Sequence, residues 1–517
     1  MRSLPFAAPL AAASLALCSA PLLAQELLLD LPGTNAGDRF GTRVAAGDRL
    51  GGDLDGDGAS ELLVTTLALD PSGASVWSVD VRSGRTGASL RVHYASDQGS
   101  AAAFFGAACA FVDDLDGDGV IDYFIDAPDV AAATHDAFLF SGANGKPLQT
   151  YALTVSKDQL YARVSPLSDL DGDGKRDLVV SDSGPSGGHF DLVASGSGKL
   201  LRTVTSTHLY WGADVAAIAD RDGDGLDDVA ACDQIWNVRQ GSLRIYSSAT
   251  GAQLVEIKGQ VGDLYGASVA RLHDLDGDGV DEFMVGTARG YGTVPVAGTV
   301  FVYSGATLKI LAFVPGEFTG GRFGVHCADA GDVNGDGISD LAIGAPNVPT
   351  WVSSGPCYLF SGKTFGRLYR FDLPDTMQWS DEALVGAGDL DGDGFGELAL
   401  GDPESLAMPA LPGRVRVFGG NDLHLSITPN VAVANQLVEL DVGEGTTSQL
   451  VMTALIDLNG TPLFAMLDLA FFDADGDYEL ADTIPPGLAG TVATFQCFAQ
   501  KAPRGTRASA PEVLTLQ

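Results

Sequence analysis

Seven copies of one nine-residue loop constrain this chain more than any other feature. The first reads Asp53-Leu54-Asp55-Gly56-Asp57-Gly58-Ala59-Ser60-Glu61, and the others begin at Asp114, Asp169, Asp220, Asp274, Asp332 and Asp389. Each carries a carboxylate or Asn at positions 1, 3 and 5, Gly at 4 and 6, and Asp or Glu at 9. Oxygens on every second residue of a tight loop can converge on one point. The two glycines let the backbone turn, and a hard cation satisfies the clustered charge. The carbonyl at position 7 supplies a neutral ligand.

The spacing therefore predicts up to seven calcium sites. Their ligands are Asp53, Asp55, Asp57, Ala59 and Glu61 in the first loop, and Asp114, Asp116, Asp118, Val120 and Asp122 in the second. The third uses Asp169, Asp171, Asp173, Lys175 and Asp177, and the fourth Asp220, Asp222, Asp224, Leu226 and Asp228. Asp274, Asp276, Asp278, Val280 and Glu282 form the fifth, and Asp332, Asn334, Asp336, Ile338 and Asp340 the sixth. The seventh is Asp389, Asp391, Asp393, Phe395 and Glu397. An EF-hand is excluded, because it needs a bidentate Glu at position 12 between two helices, and position 12 of the first loop is Val64. The flanks are strand-like, as in Leu62-Leu63-Val64-Thr65 and Leu178-Val179-Val180, so each loop reads as a hairpin tip between short buried strands.

Formal net charge is −37, and the ligand positions of the seven loops account for 27 of the 67 acidic residues. Much of the acidity is thus site charge rather than a surface for a basic partner. With no basic stripe to neutralise phosphates, nucleic acid is excluded as a partner. Residues 1–24 read as a secretory signal, with Arg2 ahead of an apolar run from Phe6 to Leu17 and cleavage after Ala24. No later segment reads as a membrane span. The expected product is exported to the extracellular space or cell surface. Five cysteines then remain (Cys109, Cys232, Cys327, Cys357 and Cys497), without a C-x-x-C pair. Cys327 and Cys357 fall on a first and a third strand of one repeat, roughly 9.5 Å apart at the usual strand spacing and beyond disulfide reach. All five read as buried small hydrophobes.

The loops recur about every 55 residues, with several strands per period, which is the mark of a propeller-like array. An aromatic-glycine pair opens most units: Phe40-Gly41, Phe105-Gly106, Trp211-Gly212, Tyr265-Gly266 and Phe323-Gly324. It is degenerate at Tyr161-Ala162 and lost at Leu384-Val385. A second strand ends near a Gly344-Ala345-Pro346-like turn, with Asp126-Ala127-Pro128 and Gly401-Asp402-Pro403 as variants. A third strand follows, such as Cys357-Tyr358-Leu359-Phe360-Ser361-Gly362, and then a fourth. Over residues 26–420 these motifs resemble the FG-GAP repeats of the integrin alpha-subunit head and of many secreted bacterial proteins. The resemblance implies an all-β, seven-bladed β-propeller at 25–421. Leu27-Leu28-Leu29-Asp30-Leu31-Pro32 resembles a fourth strand and is expected to complete the last blade.

Beyond Leu423 the rhythm changes, and residues 422–505 read as a small C-terminal β-sandwich-like domain with a flexible tail at 506–517. Asp473-Ala474-Asp475-Gly476-Asp477 imitates a calcium loop, but Tyr478 replaces the second glycine and Ala481 stands at position 9, so it reads as an acidic turn. Gly184-Pro185-Ser186-Gly187-Gly188 matches G-x-S-x-G yet joins two strands, where a nucleophile elbow needs a strand-to-helix turn. Asp113, Asp227 and Asp281, beside the loops, read as spare, solvated turn charge. In a propeller the calcium loops share one face. The long connectors Asp126–Asp136, Cys232–Gly241, Gly286–Gly298, Gly344–Gly355 and Gly401–Gly413 gather on the other. Trp236, Tyr291, Trp351 and Trp379 fall in or near them and are the candidate ligand-binding residues. The expected function is non-catalytic adhesion or recognition of an extracellular protein or glycan. A polysaccharide lyase or hydrolase and a structural spacer are the rivals.

Overall fold

The computed structural model describes residues 27–419 apart from short connector stretches, chiefly 48–51, 99–103, 156–160, 234–239, 288–296, 318–321, 347–354, 372–382 and 404–411. Beyond 419 it describes strands alone. The described propeller is built from seven antiparallel sheets of four strands each. The first blade comprises Arg43–Ala46, Leu62–Leu69, Ser75–Arg82 and Ser89–Tyr94 in spatial order. Short strands dominate because aliphatic and β-branched runs alternate with Gly-rich turns.

Burial varies in a regular way across each blade. Second strands such as Asp122–Asp129 and Leu178–Gly184 are buried along their whole length, because neighbouring blades cover both faces. Fourth strands such as Leu200–Ser206 are largely half-exposed. First strands run around a central channel, each packing against the first strands of the blades on either side, and the circuit closes between Arg43–Ala46 and Leu384–Gly388. The last sheet takes its fourth strand from the other end of the chain. Leu27–Pro32 pairs antiparallel with Arg414–Phe418, Leu31 opposite Val415, which gives the last blade the same four strands as the others.

Two sequence motifs serve as blade-to-blade wedges. The aromatics Phe105, Trp211, Tyr265 and Phe323 are buried between their own blade and the preceding one; Trp211, for example, stacks on Phe190 and meets Tyr246 edge-on. Position 2 of each metal-type loop reaches the other way. Leu54, Leu115, Leu170, Leu275, Val333 and Leu390 each join the apolar cluster of the following blade, and Arg221 donates to Gly305 O there.

Three local readings need correction. Leu384-Val385 is not the site of a lost aromatic-glycine pair. Both residues lie on the first strand of the last blade, and Ala383 O receives Gly401 N as Ala108 O receives Asp126 N. Asp126-Ala127-Pro128 is not a turn. The strand runs on to Asp129, because Asp126 N and O are held by Ala108 and Gly106, so the connector expected from Asp126 to Asp136 is far shorter. Beyond the propeller, strands His424–Thr428, Leu437–Gly443 and Tyr478–Thr483 form one sheet, and a second centres on Leu450–Leu458 and Val492–Lys501. Gly505–Ala508 and Glu512–Leu516 pair with Val492–Lys501, so most of the segment expected to be a loose tail is in strand pairing. Residues 1–24 and the acidic turn at 473–477 lie outside the described residues.

Candidate functional site

The seven loops share one internal wiring. In the first, Asp53 Oδ1 accepts Gly56 N at 2.7 Å and Asp53 Oδ2 accepts Gly58 N at 3.0 Å, while Asp57 Oδ1 accepts Ala59 N at 2.9 Å. Donation to position 1 is possible because both glycines take positive φ, 83° and 87°. Backbone N–H groups, those of Gly119, Gly174 and Gly225 foremost, hold Asp114, Asp169 and Asp220 below the usual carboxylate range. In those three loops the backbone thus favours position 1 as an anion.

Position 9 is the opposite case. Glu61, Asp122, Asp177, Asp228, Glu282, Asp340 and Glu397 are all fully buried. Burial, reinforced by the carboxylates at positions 1 to 5, pushes Glu61 and Asp340 up to about 8 and Glu282 to about 7. The wiring there depends on residue type. Asp122 accepts Leu115 N on one oxygen and Gly142 N on the other, tying its loop to the turn between third and fourth strands. Asp177, Asp228 and Asp340 repeat this with Ser195, Ser248 and Gly362. Glu61 and Glu282 accept only Leu54 N and Leu275 N on Oε2, and their Oε1 atoms are buried without a hydrogen-bond partner. In these two loops all four carboxylates offer oxygens within 4.8 Å of one another, as do three carboxylates in the second and third loops. An orphaned, buried carboxylate oxygen facing three more carboxylates fits a divalent cation with oxygen preference and little else.

The other sequence-derived positions fare unevenly. At position 7 two side chains reach the preceding loop: Lys175 Nζ donates to Asp114 O, and Phe395 lies against Gly335. Trp236, Tyr291, Trp351 and Trp379 lie outside the described residues. Cys109, Cys232, Cys327 and Cys357 are free thiols, as expected, with Cys327 and Cys357 on first and third strands of one blade. The G-x-S-x-G match is a hairpin turn in which Gly184 faces Gly187.

The charges beside the loops are not spare. Arg176 grips Asp113, and Arg271 binds Asp227 at 3.0 Å and Asp281 at 2.8 Å. Further along the channel Arg163 meets Asp214 at 3.0 Å, and His273 meets Asp329 at 2.7 Å. A cavity of about 640 Å³ lies among the first strands, bordered by Arg176, Asp227, Arg271 and His273. Asp113, Asp214 and Asp227 each reach an arginine on a neighbouring blade and Asp329 a histidine on one, while Asp281 meets Arg271 within its own blade, so solvated turn charge is the wrong description of them.

One buried cluster has no counterpart in the loop spacing. His135, Asp182 and His189 are brought together with Asp126 where blades 2 and 3 meet. Asp126 and His135 come from one hairpin and Asp182 and His189 from the next, so no single local motif marks all four.

Comparison with known proteins follows this geometry. The FG-GAP repeat family model matches residues 328–359, which span the sixth loop and its flanking strands. Integrin alpha-4 of Xenopus laevis is 29% identical over 205 residues, covering 37% of this chain and 20% of its own length. Integrin alpha pat-2 of Caenorhabditis elegans is 31% identical over 240 residues, 43% of this chain and 19% of its own. The chain therefore spans about a fifth of the length of these relatives. Among solved structures, a chain of Kuenenia stuttgartiensis Hydrazine Synthase aligns over 74% of this chain and 96% of its own, at 13% identity and a TM-score of 0.46. The FG-GAP resemblance is borne out by the match at residues 328–359 and by the similarity to integrin alpha chains, and the fold is a seven-bladed β-propeller. Among the described residues no helix is long and apolar enough to cross a membrane.

Proposed function

We propose that this is a secreted, non-catalytic, calcium-stabilised β-propeller whose connector face recognises an extracellular protein or glycan. The observation that carries the calcium reading is the orphaned Oε1 of Glu61 and of Glu282, each buried beside three further carboxylates. Bound cations would neutralise clusters that otherwise repel, fix each hairpin tip, and so set the geometry of the opposite face. The recognition reading rests on the likeness to integrin alpha chains. Trp236, Tyr291, Trp351 and Trp379 are its proposed contact residues.

Equilibrium dialysis against millimolar calcium, followed by a thermal melt with and without chelator, tests the first half. We expect several bound ions per chain and a marked fall in Tm on chelation. A calcium-free protein melting at the same temperature would refute it. For the second half, the mature protein is screened in calcium against extracellular proteins and polysaccharides, with released reducing or unsaturated ends assayed in parallel. Binding that weakens when Trp236, Trp351 and Trp379 are truncated supports recognition, whereas new chain ends would make the protein an enzyme. Binding indifferent to those truncations would leave the spacer reading.

A further inference from the structure

We propose that His135, Asp182, His189 and the Thr154 carbonyl form a binding site for a divalent transition metal, of the zinc class, that fastens blade 2 to blade 3. The site lies on the side of the ring away from the oxygen-only loops, and its ligand chemistry is different.

The hairpin of blade 3 sets the first two ligands. Its turn pairs Gly184 with Gly187, which places Asp182 directly opposite His189 on one face of the sheet. Blade 2 delivers the third. His135 stands at the start of its third strand, and the side chains of His135, Asp182 and His189 each offer a ligand atom within 4.8 Å of the other two. All three are buried. The Thr154 carbonyl, at the exit from blade 2, lies 3.0 Å from His135 Nδ1. Asp191 holds that residue in place by accepting Thr154 N at 2.7 Å and Thr154 Oγ1 at 2.9 Å.

Hydrogen bonding fixes how His135 presents itself. Its Nε2 is 2.7 Å from Asp126 Oδ1, the carboxylate–imidazole contact that orients a metal-bound histidine from behind. With the proton on Nε2, the lone pair of Nδ1 confronts the Thr154 oxygen at 3.0 Å and Asp182 Oδ2 at 3.7 Å. Two facing acceptors at that distance need a cation between them, either a second proton on the ring or a metal. Two observations favour the metal. A second imidazole, His189, converges on the same point, which an imidazolium does not need and a nitrogen-oxygen ligand set does. Charge points the same way. Asp126, Asp182 and Asp191 are all buried around the two imidazoles, Asp191 lying 4.0 Å from His189, and Asp126 Oδ2 has no hydrogen-bond partner. A dication with two neutral imidazoles offsets two of these three carboxylates, while a single imidazolium offsets one.

The test uses the full mature chain, stripped of transition metals and held in saturating calcium. Zinc chloride is titrated by calorimetry, and the bound zinc is examined by X-ray absorption. The expected result is one equivalent of zinc with imidazole outer-shell scattering, lost in His189→Ala and in His135→Ala. Asp126→Asn should keep the site but weaken it about 10–100-fold, as removal of an orienting carboxylate does. Asp57→Ala, in a calcium loop, should leave it unchanged. If the His135 variant fails to fold, His189→Gln and the wild-type absorption spectrum still decide the matter. Failure to take up zinc, or zinc bound without imidazole scattering, would overturn the proposal and leave His135 as an imidazolium between carboxylates. Uptake that survives in His189→Ala but falls in Asp57→Ala would place the zinc in a loop and equally overturn it.

Discussion

A single methylene separates the Glu-closed loops from the Asp-closed ones. Asp at position 9 spends one oxygen on its own loop and the other on the turn beyond the third strand, as Asp122 does with Leu115 and Gly142. Glu61 and Glu282 reach further in and leave Oε1 unpartnered among the ligands. Glu61→Gln should therefore reduce calcium stoichiometry by one at a free calcium that keeps the remaining loops filled, as read by equilibrium dialysis. The same residues set a pH dependence. Stripped of cations, the fold carries Glu61 at about 8 and Glu282 at about 7, above their ordinary value, because burial penalises the charged form. The penalty is absent below the ordinary glutamate pKa, grows as pH rises past it, and is complete above about 8. The chelated protein should thus lose Tm between pH 5 and 8, while calcium affinity rises over that range. The clustering of the carboxylates was legible because the loop that carries them is local and repeated. The partners of position 9 were not, since Gly142 and Ser195 approach through tertiary packing. Half of the His135 cluster was within reach of sequence reasoning, because a two-residue turn at Pro185-Ser186 dictates that Asp182 faces His189.

At the scale of the element, each hairpin tip has a packing role besides its carboxylate cluster. Position 2 plugs the next blade: Leu54 is buried against Phe111, Tyr123 and Phe140. Leu54→Ala should cost about 2–4 kcal/mol, measured as a shift in the urea midpoint with calcium present. The glycine after the third strand is the matching socket. A Cβ on Gly142 would lie 1.7 Å from Ile121 O and 2.8 Å from Leu54 Cδ2, and equivalent backbone clashes await at Gly305 and Gly362. Gly142→Ala should destabilise the fold by about 3 kcal/mol, in a range typical of forced backbone displacement, with a lowered Tm as the readout. The sequence announced these Ser-Gly pairs only as strand ends. Their purpose emerges when Ser60, Ile121, Asp281 and Ser339, all at position 8, are seen to press their carbonyls onto them. The seventh aromatic-glycine pair was misplaced for a related reason: the motif is keyed to a backbone hydrogen bond, and Leu384-Val385 merely looked like its residue.

For the whole molecule, closure depends on six residues. Leu27–Pro32 is held by antiparallel pairing, by burial of Leu31, and by the exposed Asp30 bridge to Arg414, which adds little. Removing residues 27–32 from the mature chain should leave Arg414–Phe418 as a bare edge. Light scattering should then report association, and the melt should fall, even in saturating calcium. The seven-fold array was legible in the spacing of the loops, and the closing strand in the likeness of Leu27–Pro32 to later fourth strands. The ion pairs that line the channel were not, because Asp227 and Arg271 belong to different repeats. Closure also sets an order of events during synthesis. Asp30 and Arg414 are 384 positions apart, so Leu27–Pro32 can pair only after every other strand of the propeller has been made. Blades 1 to 6 can form in turn from local contacts, but the ring waits for residue 418, a long-range step of the kind that slows folding. A chain cut short before Arg414 would leave Leu27–Pro32 without a partner strand, so truncation at one end of the propeller is felt at the other.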